Sequence, residues 1–150
     1  SIACLDLDYL KEGHDIATAS LGGVPHGTGS NGKDIALSAD GSTAYLVGGA
    51  PYVFTVVDIE NGVSVIDSLG ADAYPIAVEV GPHGNLFGAV SSWYGPTDTW
   101  VYDAESNLIK TGYVSGYADD VRDRALTVSG DGNMAVLLTT DPRLAFLRSY

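Results

Sequence analysis

Apolar and polar residues alternate along this chain in short runs, and glycine, proline, asparagine or aspartate closes most of the runs. Alternation with a period of two puts successive side chains on opposite faces of an extended backbone, so the pattern predicts strands with one buried face. Three of the runs align. Ile35-Ala36-Leu37-Ser38-Ala39-Asp40-Gly41, Val78-Glu79-Val80-Gly81-Pro82-His83-Gly84 and Leu126-Thr127-Val128-Ser129-Gly130-Asp131-Gly132 each have apolar residues at their first and third positions and glycine at the seventh. The glycines recur at a spacing of roughly 45 residues, in the range of repeated four-strand units. Asp40-Gly41 and Asp131-Gly132 predict hairpin turns, because glycine adopts positive φ without steric cost.

A second apolar run follows each turn: Ala44-Tyr45-Leu46-Val47, Phe87-Gly88-Ala89-Val90 and Met134-Ala135-Val136-Leu137-Leu138. Chain reversals come next at Gly48-Gly49-Ala50-Pro51, Tyr94-Gly95-Pro96 and Asp141-Pro142. Third strands end in Val56-Val57-Asp58 and Val101-Tyr102-Asp103, whose aspartates are expected to open the following turn by bonding to the backbone. Fourth strands are expected at Val63–Asp67 and Leu108–Val114. The chain ends read as incomplete units. Ile2–Asp8 and Ile16–Ser20 fit a third and a fourth strand, and Leu144–Arg148 fits a third. The expected division is a partial unit over 1–27, full units over 28–70 and 71–117, and a partial unit over 118–150. Short helical turns are possible at Asp6–His14 and Ala118–Arg124.

These residues resemble the YVTN-type β-propeller repeat, which is also found in lactonase-like propellers. Leu37-Ser38-Ala39-Asp40-Gly41-Ser42-Thr43-Ala44-Tyr45-Leu46-Val47 matches the repeat, with Ala39 in place of its proline. Val56-Val57-Asp58 and Val65-Ile66-Asp67 fit its later strands, and Gly23-Val24-Pro25-His26-Gly27 fits the link into a new blade. The fold class so implied is all-β, built of four-stranded antiparallel blades. Three blades and part of a fourth fall short of the four to eight that close a ring. Each blade also needs neighbours to cover its apolar faces. The expected partners are therefore further blades, from a second copy, another chain or the rest of a longer propeller.

Charge narrows the partners. Nineteen acidic residues against seven basic ones give a net charge of −12. That excludes a phosphate-binding footprint for nucleic acid and disfavours anionic membrane surfaces. No run reaches the ~18 apolar residues of a membrane-spanning helix. The single cysteine, Cys4, excludes a disulfide within the chain. Paired cysteines at zinc spacing, a haem attachment motif, a nucleophile elbow and a phosphate loop are all absent from the sequence. No cofactor or metal is expected.

Propeller ligands meet loops at one end of the central channel. The resemblance therefore implies a candidate ligand-binding set of His26, Asp34, Tyr74, Trp93, Tyr94, Asp120 and Arg122. His26 titrates near neutrality and could serve as base or ligand. Trp93 and Tyr94 could stack on a carbohydrate, another small molecule or a partner surface. Arg122, in the charged stretch Asp119-Asp120-Val121-Arg122-Asp123-Arg124, could clamp an anion. Asp40, Asp58, Asp103 and Asp131 are read as turn residues. The expected function is a non-catalytic binding or scaffolding module; an extracellular or periplasmic placement rests on the resemblance. The alternative is a segment or subunit of a propeller enzyme, either a lactonase-like hydrolase or an oxidoreductase.

Overall fold

The computed structural model describes residues 2–5, 11–13, 20–24, 32–48, 50–91, 97–112, 121–139 and 144–148. Among them the extended runs form β1 (Ile2–Leu5), β2 (Ser20–Val24), β3 (Gly32–Leu37), β4 (Thr43–Gly48), β5 (Val53–Asp58), β6 (Ser64–Gly70), β7 (Pro75–Val80), β8 (Leu86–Val90), β9 (Thr99–Tyr102), β10 (Leu108–Gly112), β11 (Val121–Val128), β12 (Met134–Thr139) and β13 (Leu144–Arg148). Consecutive strands pair antiparallel into four separate sheets, in the orders β1-β2, β3-β4-β5-β6, β7-β8-β9-β10 and β11-β12-β13. No helix among the described residues is long and apolar enough to cross a membrane.

The first hairpin of each larger sheet is closed by its glycine. Gly41, Gly84 and Gly132 have φ of +74°, +84° and +70°, a region open to glycine and strained for other residues. Aspartate holds two of the turns from inside. Ser38 Oγ donates to Asp40 Oδ1 at 2.6 Å and the Ser42 amide donates to the same oxygen at 3.0 Å. Ser129 Oγ and the Asn133 amide bond Asp131 Oδ1 in the same way, at 2.6 and 3.1 Å. These donors stabilise the ionised carboxylates and hold both pKa values at about 2. The β7–β8 turn lacks the aspartate and is one residue shorter, closed by the Gly81 amide donating to Asn85 O at 2.8 Å. At the ends of the third strands, Asp58 accepts from the Asn61 amide at 2.9 Å and Asp103 from the Asn107 amide at 2.7 Å.

Apolar faces stack the sheets. Ala36, Val47, Phe54 and Val56 of the first four-stranded sheet pack against Val78, Leu86, Val90, Trp100 and Tyr102 of the second. The other face of the second sheet presents Ala77, Phe87, Ala89 and Val101 to Leu126, Ala135 and Leu137 of the three-stranded sheet. One contact between the first two sheets leaves no room for a side chain. The ring of Phe54, fully buried, lies on the backbone of Gly88, where a Cβ would have Cζ, Cε1 and Cε2 all within 3.0 Å. Tyr102 braces the same ring edge-on, with centroids 6.2 Å apart, and its hydroxyl donates to Gly70 O.

Two expected segments differ. The Ala118–Arg124 stretch does not form a helical turn where it is described: residues 121–124 belong to β11. Pairing with β12 holds them extended, and the register shifts between Val121 and Leu126, which pair with Thr139 and Leu137. The extra β11 residues form a bulge, and Arg124 takes φ of +57° within it. The strand expected at Ile16–Ser20 begins at Ser20 and runs to Val24, because Gly22, Gly23 and Val24 pair with Cys4, Ala3 and Ile2. Gly23 and Val24 are thus ladder residues and not part of a link. Lys11 is helical and opens a turn through Glu12 and Gly13; the rest of Asp6–His14 lies outside the described residues.

Candidate binding site at the inner strands

The first strands of the three larger sheets, β3, β7 and β11, lie against one another. Each is an edge strand, paired on one side only. An edge strand presents backbone groups that need partners. Here side chains from the neighbouring sheet supply some of them. Asp34 on β3 accepts from the Val78 amide on β7 through Oδ2 at 3.1 Å, and from its own neighbour's amide, Ile35, through Oδ1 at 3.0 Å. Arg124, carried out of line by the β11 bulge, donates from Nε to the Lys33 carbonyl on β3 at 2.6 Å. One bond joins the first sheet to the second, and the other joins the third sheet to the first.

Glu79 on β7 completes this polar strip. Its neighbours in the strand are apolar and it is half-buried. Burial raises its carboxyl pKa, and the charge of Asp34 raises it further. Two carboxylates and two cationic side chains (Lys33 and Arg124) thus sit on adjoining inner strands. The strip can accept and donate hydrogen bonds in a partly desolvated setting. Among the described residues no group of three or more His, Cys, Asp or Glu could hold a metal ion.

A second feature stands just before β7. Tyr74, with φ of +61°, packs its ring against Tyr52 of the β4–β5 connection, with centroids 5.3 Å apart and planes inclined at 50°. Both rings are exposed. The Ser91 amide donates to Tyr74 O at 2.9 Å, which fixes the connection against the end of β8.

Of the residues singled out from sequence, Asp34 lies in the inner strip and Tyr74 in the aromatic pair. Arg122 is exposed and donates from Nε to the Thr139 carbonyl at 3.4 Å, a long bond within its own sheet. His26, Trp93, Tyr94 and Asp120 lie outside the described residues. Sequence reasoning missed Glu79, Arg124 and Tyr52 as site residues. Glu79 had a legible sign, since a carboxylate interrupts Ile76-Ala77-Val78-Glu79-Val80. Arg124 had none, because its reach depends on the bulge.

No protein-family model matches this chain. No curated protein matches it either. Among solved structures it is similar to Kuenenia stuttgartiensis hydrazine synthase, a propeller-containing protein, with a TM-score of 0.66 and 20% sequence identity over 79% of this chain. The match takes in 34% of that protein's chain, so this chain spans about a third of its length. At that identity the likeness concerns the fold.

Proposed function

We propose that this chain is an arc of a YVTN-type β-propeller, acting outside the cytoplasm as a non-catalytic binding or scaffolding module. Further blades complete the ring. The observation that carries this reading is the meeting of the inner strands: β3 touches both β7 and β11, as sheets fanning from a common axis do. The likeness to a propeller-containing structure supports it. The use of the polar residues supports the non-catalytic part. Both oxygens of Asp34 already accept backbone amides, and Arg124 is turned to a carbonyl. Groups held in this way brace sheets against each other and are poorly placed to move protons.

The Tyr52–Tyr74 pair is the proposed contact surface. Two exposed rings on adjacent connections suit the apolar face of a sugar or of a partner side chain. Native mass spectrometry of the purified protein, with identification of every co-purifying chain, tests the architecture. Assemblies heavier than one chain are expected, and a compact monomer overturns the ring. A glycan array tests the surface: Tyr52→Ala with Tyr74→Ala is expected to lose whatever binding the unaltered chain shows. Unchanged binding removes the pair from the site.

A further inference from the structure

The outer strands of the two four-stranded sheets carry the same irregularity at the same place. On β6, Val65 stands opposite Val57 and Asp67 opposite Val56, so Ile66 is an extra residue between them. On β10, Leu108 stands opposite Tyr102 and Lys110 opposite Val101, which makes Ile109 the extra residue. Val57 and Tyr102 are equivalent, since each directly precedes the aspartate that holds the turn into the fourth strand. Each outer strand thus has a β-bulge, and each bulge sets two consecutive large apolar residues on the rim. Val65, Ile66, Leu108 and Ile109 are 48%, 57%, 52% and 46% exposed. Single exposed apolar residues are ordinary; the same pair at the same bulge of two stacked sheets is a built feature. A bulge also spoils an edge for the addition of a further strand. What the rim offers is therefore side chains and not a ladder. The charge around the pairs is chiefly of one sign. Asp58, Glu60 and Asp67 flank the first pair, Asp103 and Glu105 precede the second, and Lys110 is the one cation within residues 58–67 and 103–110. Amides of their turns hold Asp58 and Asp103 ionised.

We propose that the two bulges form one docking surface for an amphipathic helix of a partner protein, a helix with an apolar stripe flanked by lysine or arginine. Sheets packed face to face lie about 10 Å apart, and a helix rises about 1.5 Å per residue. Equivalent positions on the two sheets therefore match helix residues about seven or eight apart, which fall on one helix face. One apolar side chain of the helix meets Val65 and Ile66, and another, two turns on, meets Leu108 and Ile109. Basic residues beside the stripe face the carboxylates that flank the pairs. Those carboxylates repel an anionic membrane surface and attract a cationic helix, so the occupant is a protein. The inference goes beyond the proposed ring, because it needs only the stacking of the two sheets on each other.

The probe is a fluorescent peptide of about 18 residues, long enough to hold a helix, made of leucine and lysine with the leucines on one helical face. Fluorescence anisotropy is expected to show saturable binding to the unaltered chain. Ile66→Ser and Ile109→Ser are each expected to weaken it about tenfold. Ile35→Ser with Leu37→Ser removes apolar surface of similar exposure elsewhere and is expected to leave it unchanged. Glu60→Lys with Glu105→Lys keeps both apolar pairs; it is expected to weaken the leucine–lysine peptide and to admit a leucine–glutamate peptide of the same pattern. Failure to bind, binding indifferent to the Ile66 and Ile109 substitutions, or equal loss with Ile35 and Leu37 overturns the surface. Dependence on one isoleucine alone overturns the span across two sheets. Capture of phosphatidylserine vesicles with the same isoleucine dependence overturns the protein helix as occupant. A compact monomer that binds the peptide as described rejects the ring alone.

Discussion

Gly88→Ala is a small change with a large expected cost. In a strand free of close neighbours, alanine in place of glycine stabilises by about 0.4–1 kcal/mol, because it restricts the unfolded chain. At Gly88 the new methyl would meet three atoms of the Phe54 ring within 3.0 Å. Ordinary carbon contacts need about 3.5–4.0 Å, so the ring or the β8 backbone must yield by on the order of 1 Å. Phe54 is fully buried and held by Tyr102, which leaves it no free direction. Overpacking of this kind costs about 1–3 kcal/mol, and this overlap belongs at the upper end, about 3 kcal/mol. With a urea dependence of about 2 kcal/mol per molar, the midpoint falls by about 1.5 M. Tryptophan and tyrosine fluorescence during urea unfolding measures it. Adding Phe54→Leu, which shortens the ring, is expected to recover part of the loss, with a favourable coupling in the double-mutant cycle of at least about 0.5 kcal/mol. A neutral or stabilising Gly88→Ala, or strict additivity with Phe54→Leu, would refute the claim that the two sheets meet ring on backbone.

Three further outcomes follow from the same geometry. Asp40 and Asp131 have folded pKa values of about 2, below the ordinary 3.8, so the stability they contribute is present above about pH 4 and is lost as pH falls toward 2. Asp40→Asn with Asp131→Asn is expected to flatten the acid limb of urea midpoint against pH, and an unchanged limb counts against the turn assignment. Glu79 is shifted upward, the opposite sign, so its charge opposes folding at neutral pH; Glu79→Gln is expected to raise the urea midpoint at pH 7, with the gain vanishing below about pH 4. Asp34→Ala leaves the Val78 amide without its acceptor and is expected to cost about 1–3 kcal/mol, with faster hydrogen exchange at Val78 as the local sign.

The strands were legible because short apolar runs closed by turn residues recur along the chain; burial itself does not alternate, since the middle strands β8 and β9 are buried at every position between sheets on both sides. On β11 the buried Leu126 beside the exposed Thr127 follows the expected alternation, whereas on β3 the order is reversed, with Ile35 and Leu37 exposed and Ala36 buried. The turn glycines were legible because few other residues tolerate their φ. What alternation does not carry is the join between sheets. Nothing in Phe87-Gly88-Ala89 announces a phenylalanine from another strand 34 residues earlier, beyond the general sense that a strand glycine marks a close approach. The Arg124–Lys33 bond was illegible for the same reason: a bulge redirects a side chain only once the partner strand is in place. The stretch around Arg124 carries no strand alternation in sequence, because bulge residues break it.

Every described ladder joins strands that follow one another in the chain, and the Asp40 and Asp131 turns are satisfied within a few residues. Each sheet can therefore assemble by local zippering, with little loop entropy lost before its bonds form. The contacts that cross between sheets, Phe54 on Gly88 and Asp34 on Val78, require two finished surfaces. Maturation of the native state is then a docking of preformed leaves, and the barrier to unfolding belongs chiefly to the seams between them.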